Sequence, residues 1–333
     1  MRAAVTGAAG LLGSNLVRSL LAQGVEVRAL IHRDRRSLAG LSCELTQADI
    51  LDPGSLLTAF QGVDLVFHSA GAISLRSDAW AHLESTNIHG TRNVISACQA
   101  NGARMVHISS VHALAQEPFD RPVDENRPLA DAPGGPPYDR SKAAGELAVR
   151  QAVAQGFDAV ILNPTAIIGP YDTHPSFLGR ALIALARQEI PALVKGGFDW
   201  VDARDVAAGA IQAGLTAPAG SRYLLSGHWY SVIDLAQTVS QITGTRPPPL
   251  TAPTAVAEFA APFFNALAHF RRGEPIYTRF TLQALNSNHQ IDSSRASQEL
   301  GYHPRPFLTT IQETLDWFVQ AGMLKPYVKE KHP

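Results

Sequence analysis

Ala3-Ala4-Val5-Thr6-Gly7-Ala8-Ala9-Gly10-Leu11-Leu12-Gly13 joins two kinds of hydrophobic pattern. Up to Thr6 the run is short and apolar on successive residues, as a strand buried on both faces requires. Beyond it Leu12, Leu16, Val17, Leu20 and Leu21 recur at helical spacing. The joint holds Gly7, Gly10 and Gly13 in a GxxGxxG spacing, in place of the commoner GxGxxG. Glycines between a strand and a helix allow a tight turn and close helix–strand packing, and they let backbone N–H groups and the helix dipole meet a negative charge such as a pyrophosphate. Gly7, Ala9, Gly10, Leu11, Leu12 and Gly13 are therefore candidate dinucleotide contacts. A glycine triplet in an alanine-rich chain also suits a plain turn, so the weight falls on residues downstream.

Working outward, short β-branched runs alternate with helical stretches: a strand over 25–31, a helix over 53–60, a strand over 65–69, a long helical stretch over 79–99, a strand over 104–108, a helix over 138–154 and a strand over 159–163. Strands apolar on both faces, each followed by a helix, predict an α/β fold: a Rossmann-type doubly wound parallel sheet spanning residues 1–164. Between 111 and 137 the rhythm stops in a crowd of prolines and glycines, the mark of a functional loop. After Pro164 strands become sparse and helices are expected at 176–188, 203–215, 231–242, 254–272 and 307–322. Residues 165–325 thus read as a smaller, mainly helical substrate-binding subdomain, interleaved with the end of the sheet. The charged tail, 325–333, reads as frayed.

Composition narrows the function. With 333 residues, 45% hydrophobic and a net charge of −1, the chain has the makings of a large core and lacks the basic face that a nucleic-acid backbone or an anionic membrane attracts. No apolar run reaches the length of a membrane span, and the opening run is a strand and turn where a signal peptide would place an apolar core. Cys43 and Cys98 form no CxxC pair and the histidines no HExxH, so neither a redox pair nor a metal site is expected. A small-molecule substrate and a cytoplasmic setting are.

The strand over 25–31 runs into His32-Arg33-Asp34-Arg35-Arg36, about twenty residues beyond the glycine loop. An acidic residue at this strand end would grip an adenosine ribose hydroxyl, whereas a basic one accommodates a 2′-phosphate. Basic residues dominate, so NADP(H) is favoured with NAD(H) as the alternative; Arg33 leads, with His32 beside it and Arg36 or Arg28 behind. Asp49-Ile50, after the third strand, suits an adenine edge. Tyr138 and Lys142 stand four apart at the start of a helix, hence on one face. An ammonium so placed lowers the pKa of a phenol, fitting it for acid–base work. Ser109-Ser110 closes the strand over 104–108, where a doubly wound sheet opens its ligand crevice.

Loop, Ser, Tyr and Lys in this order and spacing resemble the extended short-chain dehydrogenase/reductase superfamily, the NAD-dependent epimerase/dehydratase family. The resemblance extends through Asp49-Ile50, His68-Ser69-Ala70-Gly71, Asn87-Ile88-His89-Gly90-Thr91, Asn163-Pro164-Thr165 and the stretch from Phe198 to Ala207. Within the family the chain is most similar to dihydroflavonol-4-reductase and 3β-hydroxysteroid-dehydrogenase relatives. The likeness implies that Tyr138 exchanges the proton, Lys142 holds the nicotinamide ribose and tunes Tyr138, Ser110 hydrogen-bonds the reacting oxygen and Asn87 supports Lys142. It further implies cofactor contacts at Ser69, Ala70, Gly71, Asn163, Pro164 and Thr165, and a homodimer through the helices over 79–100 and 138–154. Ser110 is followed by Val111-His112-Ala113, not by the Asp-Glu pair of sugar dehydratases or the nearby Val-Tyr-Gly of many nucleotide-sugar enzymes. The expectation is therefore an NADP(H)-dependent carbonyl reductase or alcohol dehydrogenase. Phe259, Phe263, Phe264, Leu267 and Phe270 point to an apolar ketone, aldehyde or alcohol as substrate. A nucleotide-sugar epimerase with bound NAD and a non-catalytic nicotinamide sensor are the alternatives.

Overall fold

The computed structural model describes residues 1–74, 76, 78–252 and 279–327. The first half runs β1 (Arg2–Thr6), α1 (Leu11–Ala22), β2 (Glu26–Ile31), β3 (Glu44–Gln47), α2 (Pro53–Ala59), β4 (Leu65–His68), α3 (Trp80–Leu83), a π-helical segment (Glu84–Gly90), α4 (Thr91–Asn101), β5 (Arg104–Ile108), α5 (Pro137–Ala154) and β6 (Ala159–Pro164). The second runs β7 (Ala166–Ile168), α6 (Phe177–Ala186), β8 (Ala192–Val194), β9 (Gly197–Asp202), α7 (Ala203–Thr216), β10 (Arg222–Leu225), β11 (His228–Ser231), α8 (Val232–Thr243), β12 (Leu250–Ala252), α9 (Arg279–Leu285), α10 (Ser294–Leu300) and α11 (Phe307–Gln320).

Seven strands form one sheet in the order β10-β6-β5-β4-β1-β2-β3, every pair parallel. Alternation along each strand sorts two cores. Ala3 and Val5 of β1 face Leu16, Val17 and Leu20 of α1 and Val206 and Ala210 of α7, whereas Ala4, Val66, Met105 and Ile161 face Leu56 of α2, Val94 of α4 and Val149 of α5. The sheet is thus covered on both sides, as its apolar strands require. The order reverses beside β1, and the ends of β1, β4 and β5 meet at that switch point, where doubly wound folds place their ligands.

The second half holds more strand than its sequence suggested. β10 completes the main sheet, while β11-β9-β7 and β12-β8 form two small sheets over a third core built on Leu182, Trp200, Leu235, Val239, Ile311, Leu315 and Phe318. These strands are short and several are half exposed, so they carry little periodicity. The expected helix over 254–272, with its five apolar anchors Phe259, Phe263, Phe264, Leu267 and Phe270, lies outside the described residues. The long helical stretch is also divided: the π-helical segment widens one turn between α3 and α4, a distortion that frequently marks functional sites.

The proline-rich loop has one short 3₁₀ turn (Val111–Ala113) and is otherwise held by side chains. Arg127, 8% exposed, donates to the carbonyls of Pro122, Pro118 and Arg121 at 3.2, 2.8 and 2.6 Å, and to that of Glu117. Leu114 and Val123 are buried with Leu224 of β10.

Two histidines sit inside the sheet. His68 of β4 pairs Nδ1 with the Thr6 hydroxyl at 2.8 Å and Nε2 with that of Thr91 at 3.1 Å. His107 of β5 lies 5.5 Å away, ring to ring, and neither of its ring nitrogens has a hydrogen-bond partner among the described residues. Burial, helped by the Lys142 charge, pulls His68 down to about 3 and His107 well below the ordinary value. Both are therefore neutral when folded and take up protons on unfolding below about pH 6.5. Stability should fall as pH drops from there toward 3, by about 1.4 kcal/mol per pH unit for each proton. His107→Leu removes one such site, and urea midpoints measured between pH 7 and 5 should decline less steeply than in the parent. Equal slopes would contradict the assignment.

Candidate active site

The glycine loop turns at Gly7, whose φ of +64° is left-handed, and closes with Gly10 N–H donating to the Gly7 carbonyl at 2.9 Å. A Cβ on Gly13 would stand 2.1 Å from that same carbonyl oxygen, so α1 approaches β1 as closely as backbone permits. No side chain caps α1 at Gly10, and its first turn holds no acidic residue. Its opening N–H groups, those of Leu11 and Leu12 among them, therefore keep their affinity for an anion, and the cradle fits a pyrophosphate.

Ser37, in the short turn after β2, donates to the Ala9 carbonyl at 2.9 Å and so straps the basic segment to this loop. Arg33 is exposed there, while Arg36 donates from Nε to Asp34 at 3.1 Å. Arg28 turns elsewhere, to Glu44 and to the carbonyls of Ala59 and Gln61; as the third candidate for a 2′-phosphate it is thereby corrected, because its strand position points it at α2. His32 stands 3.7 Å from the Asp49 carboxylate. Asp49 also accepts the Leu51 N–H at 2.9 Å, and the Ile50 carbonyl accepts from Asn93 at 2.9 Å. Beyond β4, Ser69 donates to the Thr6 carbonyl at 2.7 Å and Ala70 N–H to the Thr6 hydroxyl at 3.2 Å, and Gly71 lies over Asn87 and Lys142.

Tyr138 and Lys142, both on α5, come together with Ser110 at the end of β5. The Ser110 Oγ accepts the His112 N–H at 3.1 Å and stands close enough to the Tyr138 phenol to favour its ionised form. Burial pushes that phenol up to about 12, against the pull of the Ser110 bond. The expected lowering by Lys142 does not accompany it; the ammonium donates to the Ile108 carbonyl at 2.9 Å. Lys142 itself is brought down to about 8 by burial, with Glu146 opposing. Asn87, in the π-helical segment, exchanges both amide bonds with Ala72, at 2.8 and 2.9 Å, and donates to Ser141 at 2.9 Å. It braces the turn that carries Lys142 and makes no bond to Lys142 itself.

Two groupings escaped the sequence. Glu146, 0% exposed, accepts from Ser109 at 2.8 Å, Asn163 at 2.7 Å and Arg222 at 2.9 Å. Its position one turn past Lys142, on the same helical face, was the available signal. Asn163 also donates to the Ser110 carbonyl at 2.9 Å and leaves Oδ1 buried without a partner; Pro164 ends β6 opposite Leu225, and Thr165 N–H donates to the Leu225 carbonyl at 3.2 Å. His112 stands 3.5 Å from the Asp139 carboxylate and 6.4 Å, ring to ring, from Tyr138. Burial works against its charged form, but Asp139 outweighs that and raises it above the ordinary histidine value. Among the described residues no cluster of histidine, cysteine and carboxylate has the form of a metal site, and no helix is long and apolar enough to cross a membrane.

A profile of the NAD dependent epimerase/dehydratase family matches residues 3–225. Sterol demethylase protein B of Methylococcus capsulatus is 35% identical over 97% of this chain and 100% of its own length. A Synechocystis protein provisionally named a dihydroflavonol 4-reductase is 34% identical over 96% and 95%. A farnesyl-dihydroquinoline-oxide ketoreductase of Stigmatella aurantiaca is 29% identical over 97% of each chain. Among solved structures, gox2253 superposes with a TM-score of 0.85 at 32% identity, covering 97% of this chain and 99% of that one. UDP-glucuronic acid 4-epimerase from Bacillus cereus, solved with UDP-glucuronic acid and NAD, has a TM-score of 0.77 at 20% identity over 96% and 99%, a likeness of fold alone.

Glu146 joins α5 to β5, β6 and β10, so its loss should be costly. Glu146→Ala leaves the half-buried Arg222 guanidinium without its carboxylate, and Ser109 and Asn163 without their acceptor, and should cost about 3 kcal/mol in urea unfolding, toward the lower end of what broken buried pairs cost. Glu146→Leu combined with Arg222→Met should recover much of it; a single variant as stable as the parent would show the pair to be idle.

Proposed function

The chain belongs to the NAD dependent epimerase/dehydratase family as an NAD(P)-dependent enzyme of extended short-chain dehydrogenase/reductase type, and we propose that it is an NADP(H)-dependent oxidoreductase interconverting an apolar ketone or aldehyde with its alcohol. The observation that carries this reading is the meeting of Ser110, Tyr138 and Lys142 at the end of β5, on the crevice that begins at the glycine loop. Support for reduction comes from the relatives, two of which bear reductase names over nearly their whole length. Support for NADP(H) comes from the basic turn after β2.

In this reading Gly7, Ala9, Gly10, Leu11, Leu12 and Gly13 hold the pyrophosphate. His32, Arg33 and Arg36 meet the 2′-phosphate, and Asp49 and Ile50 the adenine. Ser69, Ala70 and Gly71 line the middle of the coenzyme; Asn163, Pro164 and Thr165 edge the nicotinamide. When bound, the nicotinamide supplies or takes up the hydride. The chain does the rest. Ser110 donates to the substrate oxygen and holds it at the Tyr138 phenol; Tyr138 passes its proton to that oxygen as negative charge builds there. Lys142 anchors the ribose with its ammonium and stabilises the phenolate left behind. We extend the reading to a two-fold homodimer through α3–α4 and α5, where Leu147 is 40% exposed and is a side chain such pairing would cover, and to a cytoplasmic setting, which suits the free thiols of Cys43 and Cys98.

A nucleotide-sugar epimerase with retained NAD is the competing reading; the solved epimerases that resemble this chain at 20% identity speak for the fold only. Calorimetry should give NADPH a dissociation constant about tenfold or more below that of NADH. With an apolar carbonyl substrate, Tyr138→Phe should lower kcat by about 10²–10⁴ while coenzyme affinity stays near that of the parent. Sugar-nucleotide interconversion without net coenzyme use, together with tight NAD, would replace the reductase reading by the epimerase.

A further inference from the structure

The loop from Gly169 to Ser176 leaves the crevice end of β7 and returns over the glycine loop. Asn15 of α1 donates to the Pro170 carbonyl at 3.0 Å, and the Arg18 guanidinium lies 3.9 Å from the centre of the Tyr171 ring. Asp172, 3% exposed, accepts Ser176 N–H and Oγ at 2.8 Å each. So pinned, the loop places His174 on the turn after β2, far from it in sequence. There His174 Nε2 lies against Asp34 Oδ2, and Arg36 Nη2 meets both ring nitrogens of His174, standing 3.0 Å from Nδ1. The other carboxylate oxygen, Oδ1, accepts Arg36 N–H and Nε, both at 3.1 Å. Oδ1 of the one carboxylate in the basic turn is therefore hydrogen-bonded to Arg36, while Oδ2, with no hydrogen-bond partner among the described residues, is buried against the His174 ring.

A dinucleotide with a plain ribose offers a 2′-hydroxyl that needs a free carboxylate oxygen; one with a 2′-phosphate is repelled by such an oxygen. From this we propose that His174 is a determinant of coenzyme specificity: by covering Asp34 Oδ2 it withdraws the acceptor that NAD(H) would use and shields the 2′-phosphate of NADP(H) from that oxygen. The inference rests on the reading that this turn receives the adenosine ribose. Arg33 and Arg35, both exposed in the same turn, then face the phosphate without a competing anion.

The test is calorimetric titration of the full chain with NADPH and with NADH, using the parent, His174→Ala, Asp34→Asn and the double variant. His174→Ala should weaken NADPH by about tenfold and leave NADH unchanged or tighter, so the ratio of the two constants moves toward NADH. In the Asp34→Asn background the same substitution should move nothing, because the carboxylate it uncovers is gone. An unchanged ratio in His174→Ala would overturn the proposal. So would an equal weakening of both coenzymes, which would make His174 a brace for its loop, or a full shift persisting without Asp34. A parent that prefers NADH defeats the NADP(H) reading by itself, whereas the role of His174 is read from the change in ratio, so the two failures are told apart.

Discussion

Glu146 is the constraint on which the rest of the crevice depends. A carboxylate with 0% exposure is stable only if its lone pairs are taken, and here Ser109, Asn163 and Arg222 take them. Those partners come from the ends of β5 and β6 and from β10, while Glu146 rides on α5 with Tyr138 and Lys142. One buried ion thereby fixes the height and rotation of the helix relative to the strand ends. Arg222 carries the constraint outward, since its second amine also reaches the carbonyls of Glu125 and Arg127 in the proline-rich loop. The wall expected to meet substrate is thus coupled to the helix expected to do chemistry.

The opposite end of the crevice is organised by what is missing. α1 has neither a capping side chain nor an acidic first turn, two devices that would ordinarily stabilise its N-terminus. The omission sacrifices a little stability and leaves an anion site made of backbone. Its walls are locked, because Gly13 meets the Gly7 carbonyl and Gly7 itself abuts the backbone of Ala70. Ala70 follows β4, so the loop's shape is set by the neighbouring strand as much as by its own glycines.

These two ends differ in how much of them the sequence betrays. The glycine spacing, the helical repeat of α1, the apolar strands and the Tyr138–Lys142 step are local patterns, and local patterns survive in one dimension. The seven-stranded sheet was legible for that reason, except β10, which joins it after a break of two helices and three short strands. Glu146 was not legible, because its partner Arg222 lies 76 positions on; nor was His174, which meets Arg36 across 138 positions. A carboxylate on a helix and a histidine in a loop are unremarkable until the fold brings their partners. The π-helical segment also escaped, since one extra residue in a turn alters hydrogen bonding without altering which residues are apolar.

The protonation states at the centre bear on the direction in which its proton can move. Tyr138, held up to about 12, is a proton donor at neutral pH and a poor acceptor, which suits the proposed direction of carbonyl reduction. Taking that proton away near neutrality costs about 1.4 kcal/mol per pH unit below the phenol's own value, and alcohol oxidation has to meet that cost before it begins. Lys142, near 8, is charged under the same conditions but spends its ammonium on the Ile108 carbonyl. A ribose competing for Lys142 would draw the ammonium away from that carbonyl, and a cationic nicotinamide beside Tyr138 would favour the phenolate. The oxidised coenzyme brings that charge and the reduced one does not. On the proposed reading the same residues would act as acid with one form of the coenzyme and as base with the other.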